Sequence, residues 1–337
     1  MRGVAELTEN VDEAPAEDGG DEEIPATMQD GLLFMSNWRE GFVNRHSSPP
    51  ERVYHYTNSH ALIKILEDNE LWATNAVFMN DQNEIRHAAD ILRRACDNVV
   101  SDLDFVGEDP GELLKSSVAI LRVLNRLHDY VEAYVTCFCA DGDLLSQWRG
   151  YGEGDGLSIG FDSAELNTVA KDTPGMVMGL VQVTYDETQQ YEQLYDLVKG
   201  WVQMFLTSFT RDKRTKPHVE AMLFAQCFAW LAASFKHHAF AEEQEWRLVY
   251  VRLRLPAVLP EESFKFSSRS SIGMVVPFIR FTPIDAEGNS ARLPISSVRV
   301  GPHRYPALAA SGVWHLVSNL GLGEKIEVDY SFTPLRT

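Results

Sequence analysis

Two long stretches of helical periodicity, about residues 188–209 and 216–238, stand between segments that read as strands. The first carries Leu194, Val198, Val202 and Phe205; the second carries Leu223, Phe224, Phe228 and Leu231. Spacings of three and four put such residues on one helix face. Met178–Tyr185 precedes the pair as a strand and Glu245–Leu253 follows it, so a helical hairpin, about 188–238, is inserted into a sheet. Strands scattered among helices predict an α+β fold, with a mixed or mostly antiparallel sheet and flanking helices.

The rest of the chain fits one domain over 31–337. Strands are expected at Arg52–Thr57, Leu71–Met79, Tyr134–Ala140, Leu157–Phe161, Ile272–Phe281, Ser297–Val300 and Ile326–Phe332. Helices are expected at Gly31–His46, from Asn58 or Ser59 to Asn69, after Asp81, over Glu112–Tyr130 and over Tyr305–Leu320. Asp81 and Glu84 form a D-x-x-E capping box. Gly160 inside a strand predicts a close backbone approach.

Charge narrows the partners. The net charge is -19, of which residues 1–30 hold -9 through ten acids against Arg2. That segment is poor in aromatics and is expected to be a disordered acidic tail. The body has no basic excess to draw in a nucleic-acid backbone, and its best basic cluster is Arg211-Asp-Lys-Arg-Thr-Lys216. Four cysteines are too few for a disulfide scaffold. Cys137 and Cys139 share a strand face without a zinc set around them and read as buried thiols. With no leader-like start and no spanning apolar run, a cytoplasmic protein without a membrane is expected.

Four segments carry candidate chemistry. His55 lies between Tyr54 and Tyr56 on a strand, followed by Thr57, and can donate and accept near neutral pH. Asn80-Asp-Gln-Asn-Glu84 ends the next strand, with Asn80 free to point outward. In Ser146-Gln-Trp-Arg-Gly-Tyr151, Trp148 and Tyr151 could stack on a planar ligand and Gln147 could hold an amide edge. In extended Glu243-Gln-Glu-Trp-Arg247, Glu243, Glu245 and Arg247 share one face. Two carboxylates beside a guanidinium can tune one another and steady a developing cation. Each has a plainer reading: a structural histidine, a helix start, a tryptophan packed in the core, a surface ion row.

The order of these segments resembles a bacterial family known only as domain of unknown function 2971. The resemblance runs from about 52 to 332 through Tyr54–Thr57, Asn80–Glu84, Thr136–Trp148, Gly156–Asp162, Glu245–Arg247 and Val298–Pro302. The chain also resembles ADP-ribosyltransferase-like folds, which open with a basic residue on the first strand and place a Glu, often in E-x-E, on a later one. That resemblance implies NAD as substrate, with His55 on the ribose and amide side, Glu245 steadying the ribosyl cation and Glu243 orienting an acceptor. Its second-strand residue would be Thr74 or Phe78; no S-T-S triplet occurs. Tyr56, Thr57, Asn80, Gln147, Trp148 and Arg247 are the candidate binding residues around them.

The expected function is therefore an NAD-binding glycosyl-transfer enzyme, as in a toxin or phage-defence effector. Its expected partners are a small nucleotide substrate and a protein or nucleic-acid acceptor. One alternative is a noncatalytic sensor or protein-interaction module. The other is a metal-dependent nucleic-acid-processing enzyme with Asp81, Glu84 and Glu245 around magnesium.

Overall fold

Ten strands of the described residues join in one sheet, and every pairing is antiparallel except one. The computed structural model describes residues 26–46, 48–79, 83–102, 131–151, 155–172, 179–212, 214, 217–253, 265–271, 273–285 and 287–333. The strands are β1 (Arg52–Asn58), β2 (Leu71–Asn75), β3 (Val131–Cys139), β4 (Gly156–Asp162), β5 (Leu180–Gln182), β6 (Glu245–Leu253), β7 (Lys265–Ser271), β8 (Met274–Phe281), β9 (Ile295–Val300) and β10 (Glu327–Tyr330). The helices are α1 (Ala26–His46), α2 (Ser59–Asp68), α3 (Asn83–Asp102), α4 (Leu145–Tyr151), α5 (Ser163–Asp172), α6 (Glu187–Arg211), α7 (Pro217–Ala232) and α8 (Pro306–Asn319). The arrangement is α+β, as the sequence predicts, and only β9 and β10 run parallel.

Strand β3 is the junction of the sheet. On one edge it pairs with β6 along its whole length, Val131 opposite Leu253 through Cys139 opposite Glu245. On the other edge it is shared. Strand β2 pairs with its first half, Thr74 opposite Val135, and β1 meets only its end, Tyr54 opposite Cys139. Strand β1 then peels away to pair with β4 from Arg52–Asp162 to Asn58–Gly156. The sheet is thus split beside residues 136–138, and side chains bridge the gap. The Thr136 hydroxyl donates to the Trp72 carbonyl, and His55 bonds the Cys137 carbonyl.

Helices cover both faces. One core packs α1, α3, α6 and α7 on β3 and β6, with Trp201, Phe224, Phe228 and Trp230 closed from water. The other packs α2, α5 and α8 over Val53, Phe138, Ile159, Phe161 and Val298. The α6–α7 hairpin lies between β5 and β6 as expected, yet it supplies much of the first core rather than standing off the body. Fully burying each large apolar side chain contributes roughly 1.5–3 kcal/mol, so the hairpin cannot be removed without unfolding that face.

Local differences have local causes. Helix α1 begins at Ala26, inside the segment expected to be disordered, because Asp212 accepts from the Ala26 amide and Asp30 accepts from Ser208 and Arg211. Residues 1–25 lie outside the described residues, as do the Asp81 cap and the helix expected over 112–130. Strand β2 stops at Asn75, whose side chain accepts from the Val77 amide and turns the chain into a 3-10 turn, Ala76–Phe78. The segment at Trp148 is the short helix α4, in line with the plainer reading of a tryptophan packed in the core. Strand β7, which the sequence did not suggest, pairs with β8 in full register.

Candidate active site around Cys137

Strand β6 starts where the 3-10 turn His238–Glu243 ends, and Gln244 makes that change of direction in the left-handed region at φ 44°. From there the pleat turns Glu245 and Arg247 to the face of α7, where water does not reach. Glu245 is 3% exposed and Arg247 1%. Arg247 Nε and Nη2 donate to the two Glu245 oxygens at 2.9 and 3.0 Å, and Nη1 donates to the Ala233 carbonyl at 2.7 Å. Lys236 adds Nζ bonds to Glu245 at 2.9 Å and Glu243 at 2.6 Å. The Glu245 amide donates to the Tyr185 hydroxyl.

Two anions and two cations therefore close on one another. Burial alone would raise the Glu245 carboxyl. The Arg247 charge and hydrogen bonds, then Lys236, outweigh it and bring it down to about 2. Burial would lower Lys236, but Glu245 and Glu243 push it up instead. The Cys137 thiol lies near Glu245 and is raised well above the thiol range, first by burial and then by the Glu245 charge. Only the Glu243–Lys236 end of the row is partly open, with side chains 21% and 13% exposed.

His55 approaches the same residue from the other edge of β3. Its Nδ1 is 2.9 Å from the Cys137 carbonyl, and its half-buried ring lies 5.9 Å from Phe138. Phe138 and Cys137 point to opposite faces of β3. His55 and Glu245 thus touch one residue in common but do not meet in a shared hollow through any described contact. Thr57, half-buried, pairs with Leu157 on β4.

The remaining candidates divide. Tyr56 and Trp148 come together edge-on at 4.8 Å, but as packing. Trp148 is 0% exposed, and its indole N–H donates to Asp143 at 2.8 Å. The Tyr56 hydroxyl donates to the Asp141 carbonyl and accepts from the Leu144 amide, while burial raises its pKa. The stacking role expected of Trp148 is corrected accordingly: both its ring and its donor are committed inside the fold. Gln147 is buried beside it. A Cβ on Gly301 would come 2.8 Å from the Trp148 ring and 3.0 Å from the Gly156 carbonyl. At Gly160, the close approach expected from the sequence is first to the Ser297 hydroxyl on β9 and then to the Tyr54 ring, 3.1 Å from where a Cβ would stand. Several motif glycines and aromatics are thus one packing device that ties β1, β4, β9 and α4.

Asn80 and Asp81 lie outside the described residues, and so do the Glu84 and Tyr151 side chains. The expected second-strand residues are misplaced. Thr74 is on β2, which meets β3 rather than β1, and Phe78 is in the 3-10 turn. The strand between those of His55 and Glu245 is β3, with Thr136-Cys-Phe-Cys139. Magnesium on Glu245 is also disfavoured, since Arg247 and Lys236 hold its oxygens; no group of three metal-ligating side chains occurs among the described residues. Sequence reading missed Lys236, Tyr185 and the Cys137 contact. Lys236 lies nine positions before Glu245, and only the end of α7 and the 3-10 turn fold it back.

Among the described residues no helix is long and apolar enough to cross a membrane. No curated protein and no solved structure matches the chain. Residues 147–248, which run from Gln147 through Glu245 and Arg247, match the family described as "Protein of unknown function (DUF2971)".

Proposed function

We propose that the chain is an NAD-using glycosyl-transfer enzyme of the ADP-ribosyltransferase-like kind. The observation that supports it most is the convergence on Cys137 of His55 and Glu245, 190 positions apart, from the two edges of one strand. Beside them the sheet is split. Glu245 is ionised without water around it, the state a carboxylate needs to act on a developing cation. In this reading the bond from the ribose carbon to nicotinamide breaks, and its electron pair leaves with nicotinamide. An acceptor nucleophile bonds that carbon and loses its proton to Glu243 or to water. Lys236 would have to leave Glu245 for the sugar to approach, and the partly open Glu243 end is where that opening begins.

The test is calorimetry with NAD, together with nicotinamide release in the presence of protein and nucleic-acid acceptors. Glu245→Gln is expected to lower release by about a hundredfold, the size of losing one transition-state electrostatic contact. Glu243→Gln sits at the partly open end, so it should lower transfer while leaving the thermal midpoint close to that of the parent. An absence of both NAD binding and nicotinamide release with every acceptor would rule the reading out.

One observation favours a second reading, a noncatalytic sensor or interaction module: Glu245 is saturated by its own fold. Cellular activity that survives both His55→Ala and Glu243→Gln would select it.

A further inference from the structure

Helices α2 and α8 do not close on each other over the ends of β4 and β9. Between them lies a cavity of about 340 Å³, which is toward the small end of the roughly 300–1,000 Å³ typical of small-molecule sites. Its walls are mainly apolar, from Leu62 and Ile63 on α2, Leu157 on β4, and Val313 and Leu316 on α8. Gly312 also lines it, and a Cβ there would meet nothing within 4 Å, so part of the space exists because this helix position has no side chain.

The polar groups of the lining are few and unlike one another. Asp155 holds the start of α2, accepting from the Ser59 hydroxyl at 2.7 Å and its amide at 3.4 Å through one carboxylate oxygen. Among the described residues it is the only acid in the lining, which contains no described Lys or Arg. His303 accepts from the Tyr305 amide through Nδ1, which leaves its other ring nitrogen to carry the proton. None of these groups takes part in the Glu245 cluster.

We propose that this cavity binds a small amphipathic amine, with an apolar or aromatic body between α2 and α8 and a cationic head at Asp155. The apolar walls favour the body, and one carboxylate with no Lys or Arg among the described lining residues favours a positive head over a negative one. The site is separate from Glu245 and does not depend on the glycosyl-transfer reading.

Tryptamine tests the proposal, with indole-3-propionate as a partner of similar body and opposite charge, each titrated calorimetrically into the full chain. Tryptamine is expected to bind saturably at one site, at least about tenfold more tightly than the propionate, a difference of about 1.4 kcal/mol. Asp155→Asn keeps an acceptor for Ser59 and should remove most of that preference. Gly312→Leu fills the cavity and replaces a helix-interior glycine with a better helix former. It should abolish tryptamine binding without lowering the thermal midpoint, and leave nicotinamide release unchanged. Equal binding of the two indoles, binding that survives Gly312→Leu, or no saturable heat at millimolar tryptamine would each overturn the proposal.

Discussion

Arg247→Met is expected to destabilise the fold by about 3–5 kcal/mol, the range for breaking a buried ion pair from one side. The guanidinium makes three short bonds in a site closed to water, two to Glu245 and one to the Ala233 carbonyl. Methionine fills much of the volume but leaves the Glu245 carboxylate with Lys236 as its remaining cation. Urea unfolding would read the loss as a lower midpoint at unchanged slope. The parent's acid behaviour gives an independent check. Glu245 titrates at about 2 in the fold against an ordinary value of 4.5. A carboxyl depressed in the folded state stabilises above its unfolded pKa, and that stabilisation fades as the pH falls from about 4.5 toward 2. The difference corresponds to on the order of 3 kcal/mol. In Arg247→Met this acid-dependent loss should shrink, because its main source has gone. A cost below about 1 kcal/mol, with the acid profile unchanged, would show that the cluster does not hold β6 to α7 as described.

Trp148→Ala is expected to cost a similar amount, about 3–5 kcal/mol, the usual loss for truncating a fully buried large aromatic residue. The indole fills the space between Tyr56 and Gly301, and its N–H is one of the groups that hold Asp143. Asp143 also accepts from Ser331 and Thr333, so the change would loosen the segment after β10 as well as α4. Thermal unfolding and protection of the Ser331 amide, which donates to the Val300 carbonyl, would report both effects. The result separates packing from recognition: a ligand-stacking tryptophan on the surface would lose affinity and little stability. A midpoint within a degree or two of the parent would restore the recognition role.

The periodic features of the sequence carried over into the fold because they are local. Alternation at Trp246, Leu248 and Tyr250 against Arg247, Val249 and Val251 fixed β6 to the residue, since a pleated strand between two cores must sort its side chains by face. The spacing of three and four in α6 and α7 gave the hairpin too, although its second helix ends at Ala232, short of the expected 238. Boundaries held less well where a side chain redirects the backbone, as Asn75 does at the end of β2 and Asp212 does at the start of α1. The family motifs were visible as a series but not as causes. Gly301 and Trp148 are 153 positions apart, and only the pairing of β9 with β4 brings the glycine under the ring.

By itself, the sequence determined the kinds of element, the α+β class and the Glu245, Arg247 pair on one strand face, because each rests on neighbours within a few positions; Glu243, expected on the same extended face, instead ends the 3-10 turn and joins the pair through Lys236. Tertiary structure alone decided that β3 would lie between the strands of His55 and Glu245, that Lys236 would fold back to close the row, and that Trp148 would be enclosed. Those outcomes depend on strand order and on burial. Both arise from contacts between residues far apart along the chain, which no local pattern encodes.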